Sequence, residues 1–269
     1  MVKFSATSSG VTRSAQQVKI NYGRVNNGQL PSEIDYTKKE NCLAYLHRYA
    51  VCHTTLVTEA VTDIFESSSA NILTSKLDNK TLNVVFLGGG PGNDFVGFLT
   101  ALYGRCDRVF DLDVTIVDRM SGWEDIFTET IEELRKGGER YGRTGLMFCD
   151  VNVIPNYIIA DLKSTDEWTD GMKEKLKNAD IVFFVKVLSH IPDNDKLPVL
   201  QNVISMTNLH VLIIYIDSPY PQKVFTSWKL FLIPVYESPK RIYYLKYKRT
   251  QFGICNIRKS SAEVRVFKR

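Results

Sequence analysis

No apolar run in the 269 residues approaches the roughly eighteen needed to cross a membrane, and the N-terminus carries neither an apolar leader core nor a small-residue cleavage pattern. A membrane span and a secretory leader are therefore not expected, and the chain is expected in the cytoplasm, with the nucleus as the alternative. Cysteine is scarce and scattered. The five, Cys42, Cys52, Cys106, Cys149 and Cys255, are odd in number and never spaced CxxC, which argues against a disulfide framework and a structural metal. No GxxxxGK[ST] occurs, so an ATP-type phosphate loop is unsupported. Internal repeats are also absent. What is present is ordinary globular composition, 44% hydrophobic and 24% charged, in a chain long enough to bury about three quarters of its unfolded surface in one α/β-sized domain.

The net charge of +4 is unevenly placed. Ten Lys or Arg and a single acid, Glu263, lie between Lys240 and Arg269, so the rest of the chain is net acidic. Basicity belongs to the C-terminal segment, where a polyanion partner and a solvated charged face give the same count. Residues 1–37, rich in Ser, Asn, Gly and Gln, lack sustained periodicity and read as a loose extension that orders where Val18 to Tyr22 meets the body. Apolar residues from Leu43 to Phe65 follow helical spacing, so residues 38–80 read as a helical cap ending in a turn at Leu77 to Lys80.

From residue 81 to 269 buried strands alternate with helices. Strands are expected at Leu82 to Leu87, Val114 to Val117, Asp180 to Val185 and His210 to Ile216, with a further one at Leu146 to Cys149 or at Tyr157 to Ala160. Helices fit at 93–104, 122–137, 168–177 and 195–206. Arg241 to Tyr247 and Ala262 to Phe267 are separated by a loop instead of a crossover helix, so they should pair antiparallel. The expected architecture is a doubly wound, mostly parallel seven-stranded α/β sheet with its last strand reversed.

The strongest local signal is LNVVFLGGGPGND, residues 82–94. A buried strand running into Gly88, Gly89, Gly90, Pro91 and Gly92 forces a tight turn into a helix, and the missing Cβ atoms let a ligand lie against the backbone. The dinucleotide pattern GxGxxG fails in both registers, at Asn93 and at Phe95, leaving a GxGxG of Gly88, Gly90 and Gly92. The second strand ends in Asp118, where a carboxylate can accept both hydroxyls of a ribose. Trp123, five residues on, either leans on a purine or packs its helix.

With LGGGPGND as the glycine motif and TIVDRMSGW as the strand-two motif, the sequence resembles the class I S-adenosylmethionine-dependent methyltransferases. The fragment AYLHRYAVCHTTLV, residues 44–57, resembles a helix that precedes the glycine motif in poorly characterised eukaryotic members and roofs the pocket. The resemblance implies S-adenosyl-L-methionine as cofactor, held by Gly88, Gly89, Gly90, Gly92, Asp94, Asp118, Arg119, Trp123 and Lys186. It also implies an acid after strand three beside the adenine amine, for which Asp161 fits the spacing to strand four better than Asp150. One departure stands out: the acid often found two residues before the first glycine is Phe86 here.

Methyl transfer needs an acceptor held in line with the methyl group and, where the acceptor is protonated, a place for its proton. VKVLSHIP, residues 185–192, follows strand four, and its polar members Lys186, Ser189 and His190 are candidates. His190 has the unperturbed pKa of a base, and Lys186 reads as a partner for an acid or a substrate anion. Asp217 and Tyr220, in DSPY after strand five, are candidates for the substrate mouth. A [DN]PP[YF] after strand four and the lysine, aspartate, lysine, glutamate set of ribose enzymes are both missing. KRIYYLKYKRTQFG, residues 240–253, interleaves cations with Tyr244, Tyr247 and Phe252, which suits RNA as partner and acceptor and equally suits an antiparallel pair with a solvated face. Two alternatives stand beside the enzyme: a noncatalytic scaffold, cofactor sensor or partner subunit of an active protein, and a dinucleotide or nucleotide-sugar enzyme, which the failed GxGxxG disfavours.

Overall fold

Each central strand sends alternate side chains into two separate cores. In the computed structural model, which describes residues 8–25, 34–106, 110–218, 231–244 and 259–269, strand β1 (Thr81–Leu87) places Leu82, Val84 and Phe86 in one core and Val85 and Leu87 in the other. Strands β4 (Ile181–Val185) and β5 (Leu212–Asp217) do the same, with Phe183 and Ile214 on the first side and Phe184 and Tyr215 on the second. That is why these strands read as nearly unbroken apolar runs.

The sheet has seven strands in the order β3-β2-β1-β4-β5-β7-β6, where β2 is Asp111–Asp118, β3 Asn152–Ile159, β6 Ile233–Tyr244 and β7 Lys259–Lys268. Strands β1 to β5 pair in parallel, while β7 pairs antiparallel with both β5 and β6. A doubly wound sheet of this order with a reversed β7 is the class I methyltransferase fold. The order reverses direction at β1 and β4, and the crevice beyond the carboxyl ends of those strands is where this architecture holds ligands.

Helices cover both faces. On the first lie α3 (Val51–Glu66), α4 (Ala70–Leu77), α5 (Asn93–Leu102), α6 (Gly122–Arg135) and α7 (Gly142–Asp150); on the second, α8 (Asp170–Asn178) and α9 (Asp193–Met206). Helix α3 is part of the main core, since Leu56, Val57, Ala60 and Ile64 join the sheet residues there. It crosses α5 closely: Thr54 and Thr58 donate to the carbonyls of Asn93 and Gly97, at 3.1 Å each. A Cβ on Gly97 would lie 2.6 Å from the Thr54 carbonyl oxygen, so only glycine permits the crossing.

Three expectations are corrected. Ser8–Val25 is a helix, α1, with Val11, Ala15 and Val18 buried at i, i+4 and i+7, where a loose extension was expected. Leu146 to Cys149 belongs to α7, and the third strand is Asn152–Ile159, which also contains most of the other candidate segment. Helix α4 falls within the expected 38–80 helical cap. The 38–67 pattern resolves into α2 (Lys39–Tyr45), a single π turn (Leu46–Ala50) and α3. Strand β6 starts at Ile233, upstream of the expected Arg241, and Tyr220, Tyr247 and Phe252 lie outside the described residues.

Among the described residues no helix is long and apolar enough to cross a membrane, and no group of three or more His, Cys, Asp or Glu is placed to hold a metal ion.

Candidate functional site

The glycine turn is built by three left-handed residues, Gly88 (φ 64°), Gly90 (φ 51°) and Gly92 (φ 85°). Two of them are needed for packing as well as for backbone shape. A Cβ on Gly88 would lie 2.3 Å from Val187 Cγ2, and one on Gly92 2.5 Å from Phe127 Cδ2. Gly90 differs: it is buried, yet a Cβ built on it meets no heavy atom within 4 Å. A buried glycine facing open space leaves room for a ligand against the backbone of the turn. The start of α3 lies near the β4 end, since Cys52 and His53 both feel the Lys186 charge, and it follows directly on the π turn, a feature frequent at functional sites.

Asp118 fastens the turn to β2. Its Oδ2 accepts the Gly90 N–H and its Oδ1 the Met120 N–H, both at 3.0 Å. Burial raises its pKa, and the backbone donors of Met120, Gly90 and Arg119, with the Arg119 charge, oppose the shift. A carboxylate offers about four lone-pair positions, more than these backbone donors use, so it can still accept from a ligand hydroxyl. Asp94, in the first turn of α5, is only 5% exposed, and its Oδ1 is buried without a hydrogen-bond partner. Burial, then the nearby Asp118 charge, holds its carboxyl well above the usual carboxylate range.

Phe86 is committed to the core. It stacks on Phe183 at 4.7 Å between ring centroids and meets Phe95 and Phe98 edge-on. An acid at position 86 would be surrounded by rings, which accounts for its absence from the site.

The second half of the site lies across the β1/β4 crevice. Lys186 (φ 53°) is the one non-glycine residue with positive φ among those described, a strained conformation of the kind found at functional sites. Its ammonium donates to the Ser261 carbonyl of β7 at 2.5 Å and stands 4.0 Å from Asp217 Oδ1. Burial lowers the Lys186 pKa and Asp217 opposes this. Asp217 is fully buried and accepts the N–H groups of Ser189 (3.2 Å) and Ser218 (2.6 Å). It therefore locks the β4 and β5 ends together and does not line an open mouth as a free base. His190 is partly buried, and burial lowers its pKa against the pull of Asp217, with Lys186 and Arg119 adding to the lowering.

Sequence reasoning missed His53. It lies in the helical stripe and in the 44–57 fragment but is not singled out there, whereas Tyr45, Tyr49 and His53 recur at i, i+4 and i+8 and form a connected ring cluster, with Tyr49 5.9 Å from His53. Burial, followed by the charges of Lys186 and His190, pulls the His53 pKa down to about 3. The signal was available in that spacing.

Trp123 is not brought to the site. It is 3% exposed, with Tyr36 at 4.3 Å and Tyr45 at 5.0 Å, so α1, α2 and α6 use its ring as packing and not as an adenine platform. Asp161 follows β3 on the same sheet edge as the glycine turn, next to the end of β2, where the Ala160 N–H donates to the Asp118 carbonyl. Its Oδ1 accepts the Lys163 N–H at 2.9 Å. Asp150 ends α7 before β3 begins, on the opposite sheet edge. Arg119 is exposed beside Asp118.

The sequence matches no protein-family model and no curated protein. Solved structures similar to it include magnesium protoporphyrin IX methyltransferase (ChlM) from Synechocystis PCC 6803 with bound SAM, at 12% identity over 100% of both chains and a TM-score of 0.48. TehB from Haemophilus influenzae matches at 13% identity and a TM-score of 0.45, over 77% of this chain and 65% of TehB, just under two thirds of its length. N-methyltransferase NodS from Bradyrhizobium japonicum WM9, in complex with S-adenosyl-L-homocysteine, matches at 12% identity over 74% and 84% of the two chains, with a TM-score of 0.41. Identities this low carry nothing about substrate; strand order and the reversed β7 define the fold.

Proposed function

We propose that this chain binds S-adenosylmethionine at the glycine turn and transfers its methyl group to an acceptor entering beside the β4 and β5 ends. The observation that carries the reading is the open space on the Cβ side of the buried Gly90, with the Asp118 carboxylate fastened to the Gly90 N–H beside it and able to accept a ribose hydroxyl. These residues fit the adenosine end of that cofactor, and in this reading Asp161, after β3 on the same sheet edge, serves the adenine amine. The bound sulfonium supplies an activated methyl group, so the protein's task is positioning.

On the acceptor side His53 and His190, both with lowered pKa, are neutral at pH 7 and accept hydrogen bonds from an N–H or O–H of the acceptor. Lys186 orders the β4 end through Asp217 and Ser261 instead of taking a proton. RNA remains an acceptor to test: β6 exposes Lys240, Ile242 and Tyr244.

A second reading, a noncatalytic cofactor sensor or partner subunit, is favoured by the internal commitment of Lys186 and Asp217. Calorimetric titration with S-adenosylmethionine, alongside Asp118→Ala and an NAD control, tests the shared premise. Micromolar binding that the variant loses is expected; well-folded protein that ignores millimolar cofactor, or prefers NAD, refutes it. Methyl transfer to RNA, protein or small-molecule acceptors then separates enzyme from sensor.

A further inference from the structure

Asp94 has no structural employment. An ordinary first-turn acid is solvated or caps its helix, whereas this one is 5% exposed, its Oδ1 is buried without a hydrogen-bond partner, and Gly92 is the helix cap, with no side-chain hydrogen bond. A buried carboxyl left unpaired is costly, and in native proteins such a group calls for an unseen partner. Its electrostatic neighbour is Asp118, another carboxyl, so the missing partner is a donor, and a cation satisfies both. Gly90 links the two features: its N–H is tied to Asp118, and the open space lies on its Cβ side.

The usual place for an acid beside this turn, position 86, is filled by a phenylalanine stacked in the core. A compact ammonium on a ligand lying along the turn would find its counter-charge in α5 instead of in β1. Resting on the cofactor reading above, we infer that Asp94 is the receptor for the α-ammonium group of the cofactor's amino-acid end, replacing an acid at position 86. The adenosine end is held independently, by Asp118 and the backbone of the turn.

The test is calorimetric titration of the full chain with three probes: S-adenosylhomocysteine, its deamino analogue, and 5′-methylthioadenosine, which lacks the amino-acid end. In the unaltered protein, removing the amino group should weaken binding about tenfold or more, the size of one charge-assisted hydrogen bond. Asp94→Asn should weaken S-adenosylhomocysteine by the same factor while leaving the other two probes within about twofold. Equal affinity of the unaltered protein for S-adenosylhomocysteine and its deamino analogue overturns the inference without any variant, and so does an Asp94→Asn loss shared by all three probes. If none of the probes binds the unaltered protein, the cofactor reading itself falls and takes the inference with it.

Discussion

Two carboxyl groups share the buried corner where β2 meets the glycine turn, and only one is satisfied. Asp118 has its backbone donors, Gly90 and Met120 among them, while Asp94 Oδ1 has none. Because burial and Asp118 raise the Asp94 pKa in the folded state, the folded chain binds its proton more tightly than the unfolded chain does. Stability then falls as pH rises from the ordinary value of 3.8 through the raised one. Asp94→Asn should therefore stabilise the ligand-free protein at pH 7 by about 1 kcal/mol, or about 2–4 °C in melting temperature, with a smaller gain at pH 5. Scanning calorimetry at the two pH values checks this, and a lower melting point for the variant at pH 7 would contradict it. A substitution that stabilises the empty protein and weakens ligand binding is the mark of a group retained for function.

At the scale of elements, the three turn glycines should behave differently when given the same methyl group. Gly90→Ala meets no atom and carries only the left-handed backbone cost of about 1 kcal/mol. Gly88→Ala and Gly92→Ala add collisions with Val187 and Phe127 to that cost. The expected outcome is a folded Gly90→Ala that no longer binds S-adenosylmethionine, beside Gly88→Ala and Gly92→Ala proteins that melt well below it, read by circular dichroism and titration. Wild-type affinity in Gly90→Ala would remove the turn from the site.

The same scale shows what was legible. The glycine turn, β1, β2, β4 and β5 could be read because strands covered on both faces are continuous apolar runs that end in punctuation. Leu146 to Cys149 misled because a short apolar run fits a strand or a buried helix equally well. Helix α1 hid its three buried apolar residues among Ser, Gln and Asn. The partners of Trp123 are Tyr36 and Tyr45, far upstream, and Asp217 is enclosed by Ser189 and Lys186 from another strand end, so neither environment is written in the local sequence.

For the molecule as a whole, acid should act partly through α3, which carries His53. His53 has its pKa pulled from 6.5 to about 3 by burial, Lys186 and His190, so the unfolded chain binds its proton first. The resulting stability is intact above about pH 6.5 and drains away as pH falls toward 3, at no more than about 1.4 kcal/mol per pH unit. Solvent reaching the partly exposed ring lowers the slope below that limit. Urea unfolding at pH 7, 6 and 5 should show wild type losing stability relative to His53→Gln at each step; parallel curves would mean that the imidazole titrates freely.

The position of β7 sets a timetable for biogenesis. Of the seven strands described it is the last to leave the ribosome, yet it lies inside the sheet between β5 and β6. At about 5–20 residues per second, the roughly fifty residues from Asp217 to Lys268 take several seconds to emerge. For that interval β5, whose every side chain ends up buried, presents a bare apolar edge. A nascent chain paused there is the form most in need of a chaperone, and codon choice over residues 218–268 should govern yield more than codon choice upstream.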